Sequence, residues 1–202
     1  MIGRLRQLVS RQLSHPAGAG GKLVARLMNR GNRKMNTRAI ELLDVRPDAR
    51  VLDLGFGGGL AIEMLLARGG HVTGVERATD MVAAARTRHA GEIAAERLSI
   101  LEGDVAALPL PDASVDRVLT INTIYFWRDL PPALGEIRRV LAPDGVVVIG
   151  IRDGSEMKSV SREIFTVRPA AEIAQALGEA GFGDTRVESP SDHKVHYLVS
   201  RK

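Results

Sequence analysis

Residues 51–59 read Val51-Leu52-Asp53-Leu54-Gly55-Phe56-Gly57-Gly58-Gly59, an apolar run ending in a carboxylate, then glycines at alternate positions. Such glycines let the chain turn tightly and let a ligand lie against bare backbone. A helix that follows presents its unpaired N–H groups there. A dinucleotide fingerprint wants a further glycine at the place of Leu60, where helix and strand pack closely. Leu60 does not meet that need, and Asp53 would repel a pyrophosphate; it suits a ligand carrying an ammonium group. Two more acids follow at strand ends. Glu76 closes Val72-Thr73-Gly74-Val75, where a carboxylate can accept both hydroxyls of a ribose. Asp104 follows the run Leu98 to Leu101 and can accept from an adenine amino group while Val105 covers the ring. Open parallel sheets bind ligands beyond the carboxyl ends of their strands. Three acids at three successive strand ends therefore point to a nucleoside that also carries a positive charge.

Asp53-Leu54-Gly55-Phe56-Gly57-Gly58-Gly59, Glu76, Asp104-Val105 and Leu108-Pro109-Leu110-Pro111-Asp112-Ala113-Ser114-Val115-Asp116 together resemble the class I methyltransferases that use S-adenosylmethionine. The resemblance runs from residue 50 to about residue 200. It implies S-adenosyl-L-methionine as the cofactor, with Asp53, Gly55, Gly57 and Gly59 at its methionine part, Glu76 at the ribose, and Asp104 and Val105 at the adenine. Arg77 and Met81 fall near the ribose and adenine edges, and Asn122 falls where this family lines the methyl-donor pocket. Phe56 stands where a small residue is usual; it either contacts the ligand or packs beneath it. The implied reaction is displacement at a sulfonium methyl. The leaving thioether is neutral, so the protein's work is to align the acceptor and exclude water. Two rival readings stand beside this one. An NAD(P)-dependent oxidoreductase is opposed by Leu60 and by the lack of a Tyr-x-x-x-Lys pair. A non-catalytic nucleoside-binding protein on the same fold stays open, because every motif concerns the cofactor.

The acceptor leaves fainter traces. Asn122-Thr123-Ile124-Tyr125 sits where methyltransferases acting on amino groups of bases or protein side chains carry Asn/Asp-Pro-Pro-Tyr/Phe, and Thr123 and Ile124 replace both prolines. That argues against amino-group methylation of nucleic acid. Tyr125-Phe126-Trp127 is a cluster in a chain with only one Trp, two Tyr and four Phe. Either alternate members are core, or Tyr125 and Trp127 wall a pocket for an apolar or aromatic small molecule. His15 is a candidate base or substrate contact. The other histidines show no metal spacing, so no metal site and no catalytic residue is assigned.

These residues need a scaffold. From residue 50 strand and helix patterns alternate: strands over 51–54, 71–75, 98–101, 115–121 and 145–151, helices over 60–67, 79–89, 131–141 and 169–180. Alternation of this kind predicts right-handed βαβ units around a parallel sheet. Two last strands, over 185–188 and 195–200, have no helix between them and should pair antiparallel. The expected fold is therefore α/β, a Rossmann-like, seven-stranded, mostly parallel sheet with an antiparallel C-terminal strand and an N-terminal helical cap. Residues 1–46 are read as the cap and 47–202 as the S-adenosylmethionine-binding domain.

The composition agrees. The chain has 202 residues, 45% hydrophobic and 26% charged, which suits one globular domain with an extension. It has no cysteine, which excludes disulfides, thiolate nucleophiles and Cys-based metal sites and fits a cytoplasmic location. The net charge is +4, but residues 1–50 carry 11 Lys/Arg against 3 Asp/Glu, and the later residues are mildly acidic. The basic excess thus belongs to the cap, where an amphipathic pattern over residues 2–13 places Arg4, Arg6 and Arg11 between apolar positions. That helix roofs the acceptor pocket, or lies peripherally on an anionic membrane. Its shortness and the acidic remainder argue against nucleic-acid tracking. The oligomeric state is not legible.

Overall fold

A computed structural model describes residues 32–154, 166–191 and 194–202. The expected helix over residues 2–13, and His15, lie outside the described residues. The first described element is helix α1, residues 32–43. Met35, Ala39, Ile40 and Leu43 recur on one side of it and are all buried.

The sheet follows. Strand β1 is Arg50–Leu54, helix α2 Leu60–Leu66, β2 His71–Glu76, helices α3 Thr79–Arg88 and α4 Ala90–Ala94, and β3 Leu98–Glu102. Then come β4 Val115–Ile121, a 3-10 turn at Ile124–Phe126, α5 Leu130–Val140, β5 Leu141–Arg152, α6 Ala170–Glu179, β6 Gly183–Glu188 and β7 Val195–Arg201. The strands lie in the order β3-β2-β1-β4-β5-β7-β6. β1 to β5 are parallel, and β7 pairs antiparallel with both β5 and β6. The seven-stranded, mostly parallel α/β sheet with an antiparallel end is the one the strand and helix rhythm predicted. Among the described residues no helix is long and apolar enough to cross a membrane.

Two apolar layers sandwich the sheet. Alternate residues of a strand face opposite sides, and β1 divides accordingly. Val51 joins the layer of α1 to α3, whereas Leu52 and Leu54 join the layer of α5 and α6. Asp53 alternates with Leu52 and Leu54 and so shares Val51's side of the sheet. It is a carboxylate set in an otherwise apolar strand. Near the start of β5 the structure departs from the sequence reading. Leu141 is already paired with Val115, then the register shifts, with Asp144 at φ 60°, and pairing resumes at Arg117–Val146. A bulge of this kind carries strand pairing across residues that do not read as a strand. Helix α4 and the 3-10 turn were also not legible, being single turns too short for a periodic pattern.

Candidate functional site

The carboxyl ends of β1 to β4 open into one cleft of about 620 Å³. Its floor is the turn after β1. Gly55 has φ 74°, and its N–H donates to Val75 O at 2.7 Å, which ties the turn to β2. A Cβ on Gly55 would stand 2.4 Å from Thr123 Cγ2, so both the backbone angle and the neighbour demand glycine. Gly57, at φ 50°, lines the cleft with nothing within 4 Å of where its Cβ would be. Gly59 does not line the cleft. It caps α2 at φ 79° and backs onto the buried His89, whose Nε2 has no partner among the described residues.

Asp53 lines the cleft yet is 3% exposed, and its Oδ2 has no hydrogen-bond partner among the described residues. Burial, and secondarily the charge of Glu76, push its carboxyl up from 3.8 to about 7. A buried carboxylate without a partner is costly, and a cationic ligand is the remedy this site lacks from its own side chains. Glu76 is held differently. Its Oε2 accepts Gly57 N–H at 3.1 Å, and its Oε1 accepts Arg77 N–H at 2.8 Å and Ala78 N–H at 3.0 Å. These bonds join the end of β2 to the glycine turn and fix the carboxylate at the cleft wall.

On the β3 side, Asp104 Oδ1 accepts Ala106 N–H at 2.9 Å, so the turn is closed by the side chain. Asp104, Val105, Arg77 and Met81 all line the cleft, and Met81 is buried. Phe56 does both things the sequence left open. It is 6% exposed, packed over Gly74, where a Cβ would meet its Cδ1 at 2.8 Å, and it still lines the cleft.

Asn122 ends β4 at φ 57° and lines the cleft. Its Nδ2 faces Asn32 Oδ1 at 3.4 Å and Met35 Sδ at 3.5 Å, so α1 reaches the same cleft. Of the three consecutive aromatics, Trp127 is buried and lines the cleft, and Phe126 is half-buried and also lines it. Tyr125 does not. It is 4% exposed in the layer under α5, and burial pushes its phenol up from 10.0 to about 12, so it stays protonated. The alternation of a strand would have placed Tyr125 and Trp127 alike; the 3-10 turn separates them.

The sequence reading missed Asn36, Arg128 and Asp129, which also line the cleft. Asn36 had a signal: it is a polar residue on the apolar side of α1, 5% exposed, with Nδ2 donating to Asn32 O at 2.9 Å. Arg128 and Asp129 had none, being exposed loop residues brought in by the turn ahead of α5.

Comparison with known proteins agrees with this geometry. Residues 52–149 match the family described as a methyltransferase domain. The malonyl-[acyl-carrier protein] O-methyltransferase of Pectobacterium atrosepticum is 33% identical over 124 residues, covering 61% of this chain and 47% of that protein. The demethylmenaquinone methyltransferase of Thermus thermophilus is 36% identical over 130 residues, covering 63% and 58%. The chain thus spans about half the length of these relatives. In fold it is similar to a SAM-dependent methyltransferase from Aquifex aeolicus, with a TM-score of 0.75 at 19% identity over 89% of this chain and 97% of that one. It is also similar to phosphoethanolamine N-methyltransferase 2 of Haemonchus contortus, with a TM-score of 0.72 at 18% identity over 84% and 52%.

Proposed function

We propose that the chain is a class I S-adenosylmethionine-dependent methyltransferase, a reading supported by the methyltransferase-domain match over residues 52–149 and by its methyltransferase relatives, and that it moves a methyl group from S-adenosyl-L-methionine to a small, apolar or aromatic acceptor in the cytoplasm. The observation that carries this reading is Asp53, a buried carboxyl with an unpartnered oxygen at the edge of an open glycine turn. When bound, S-adenosylmethionine supplies a sulfonium methyl that a nucleophile can take by in-line displacement.

In this reading Asp53 holds the ammonium group of the donor and Gly55 and Gly57 give it room. Glu76, kept in place by three main-chain N–H groups, accepts the ribose hydroxyls. Asp104 and Val105 take the adenine, with Arg77 and Met81 at its rim and Phe56 beneath. Asn122 borders the methyl-donor pocket. Trp127 and Phe126 give the acceptor an apolar wall that excludes water, and Tyr125, protonated and buried, is no base. Residues 47–202 form the donor-binding domain, and of the cap read over residues 1–46 the first 31 residues lie outside the described ones.

Isothermal titration with S-adenosylmethionine and with NAD tests this. The expected outcome is binding of the first and not the second. Binding of NAD alone, or normal donor binding by both Asp53→Ala and Glu76→Ala, would overturn the assignment. Release of S-adenosylhomocysteine only when an acceptor is present separates an enzyme from a binding protein.

A further inference from the structure

The crossover from β3 to β4 runs through residues 103–114 without a helix of its own, and it opens with Asp104 and Val105 at the cleft. A segment of this kind must find partners elsewhere for its main-chain groups. Helix α5 supplies them from a single turn. Glu136 Oε2 accepts Leu108 N–H at 2.7 Å. Arg139 Nη2 donates to Leu108 O at 3.1 Å, and its Nη1 donates to Leu110 O at 2.7 Å and to Asp112 Oδ1 at 2.8 Å. The main chain of α5 joins in, with Ala113 N–H donating to Arg139 O at 3.0 Å.

The two side chains are also bound to each other. Arg139 Nε donates to Glu136 Oε1 at 2.7 Å and Nη2 donates to Oε2 at 2.8 Å. Their spacing of three residues puts them on one face of the helix. Forked, charge-assisted bonds of this kind fix direction as well as distance. The guanidinium also holds the Glu136 carboxyl below the usual carboxylate range, so the pair is ionised at neutral pH. The bracket reaches back towards the cleft through the chain it grips. Leu108 is buried in the layer under α5, and Pro109 packs on Gly103, where a Cβ would stand 2.7 Å from Pro109 Cδ. Gly103 is the residue before Asp104, and its own N–H donates to Glu76 O at 3.1 Å. Asp104 is therefore set between the tie to the end of β2 and the bracket on α5. Neither Glu136 nor Arg139 lines the cleft.

Resting on the methyl-transfer reading above, we propose that Glu136 and Arg139 are positioning residues for donor recognition: they hold the β3–β4 crossover on α5 so that Asp104 stands ready at the adenine amino group. The stretch Leu108 to Asp112, which adds no side chain to the cleft, is the part of the crossover that they grip. Without the bracket the crossover would have to be ordered when the donor binds, and that cost is subtracted from affinity. The loss falls on the adenine amino contact, because that is what Asp104 supplies.

The test is isothermal titration of the full chain with S-adenosylhomocysteine and with S-inosylhomocysteine, whose base has no amino group to place. Wild type, Arg139→Gln, Asp104→Ala and the double variant are compared. Arg139→Gln should weaken S-adenosylhomocysteine roughly tenfold and S-inosylhomocysteine by no more than about twofold, and in the Asp104→Ala background it should add no more than about twofold for either ligand. A merely structural role would lower both ligands alike and in both backgrounds, and that outcome would overturn the proposal. So would an Arg139→Gln affinity for S-adenosylhomocysteine within twofold of wild type. Thermal melts check that each variant is folded. Should Arg139→Gln fail to fold, Glu136→Gln takes its place, since it keeps an oxygen for Leu108 N–H and loses only the charge of the pair. It should show the same pattern with a loss of about threefold, and equal losses for the two ligands would again overturn the proposal. Failure of the underlying reading is seen separately, as no binding of S-adenosylmethionine or S-adenosylhomocysteine by wild type.

Discussion

Replacing Asp53 by Asn isolates the group on which the donor site turns. In the folded, ligand-free chain burial raises the Asp53 carboxyl from 3.8 to about 7. The folded state therefore holds a proton that the unfolded state has lost between those two values. A raised folded pKa contributes stability that is present at low pH and lost as pH climbs through about 7. The difference corresponds to about 4 kcal/mol at its full extent. For a domain of this size about 1 kcal/mol moves the melting temperature by about 2–4 °C. The ligand-free protein should thus lose on the order of 10 °C between pH 4.5 and 8 through this one group. Asp53→Asn has no such proton to lose, so the melting temperature of the variant minus that of wild type should climb across the same window. Thermal melts at half-unit pH steps measure it, and other titrating groups cancel in the difference. Donor binding should run in the opposite sense. A cation needs the ionised carboxylate, so wild-type affinity for S-adenosylmethionine rises with pH up to about 7 and is flat beyond it, whereas Asp53→Asn binds weakly with no such rise. A melting difference that stays level from pH 4.5 to 8 would refute the reasoning, because Asp53 would then be ionised at no cost in the empty fold.

Gly55→Ala should cost about 2–5 kcal/mol in denaturant unfolding and weaken donor binding, from the positive φ and the clash with Thr123; Thr123→Ser, lacking the Cγ2, should return part of the loss in the double variant. Glu76→Gln leaves only one acceptor oxygen for three main-chain N–H groups, and titration calorimetry should show donor affinity lowered by about 10–100-fold with the fold retained. Asp116, held below the ordinary carboxylate range chiefly by its hydrogen bond from Arg50, contributes stability that is present above the unfolded pKa and lost as pH falls through the lowered folded value. Asp116→Asn should therefore be less stable than wild type at neutral pH and approach it in acid melts.

Much of the donor site could be read from the chain because its residues are local. Asp53 to Gly59 form one turn between a strand and a helix, and hydrophobic rhythm alone sets β1 and α2 on either side. Glu76 and Asp104 likewise sit at the ends of elements whose periodicity is strong, so their convergence on one sheet edge follows from right-handed crossovers. Sequence also decided that Leu60 spoils a dinucleotide turn, since that is a matter of residue size at one position.

The burial of Asp53 was a different matter. Its type is visible in the chain, but its raised pKa comes from α1 and α2 closing over the sheet and from Glu76 across a strand gap. The fate of the three aromatics was also hidden. A single 3-10 turn sends Tyr125 into the core and leaves Phe126 and Trp127 at the cleft, and a turn of three residues has no period to detect. Asn32, Asn36 and Arg152 reach the cleft region only because α1 and the end of β5 meet there across 120 residues of chain. Local chemistry and hydrophobic period are written along the sequence. Which buried groups lack partners is decided when distant elements pack, because a hydrogen bond depends on distance in space and not on spacing along the chain.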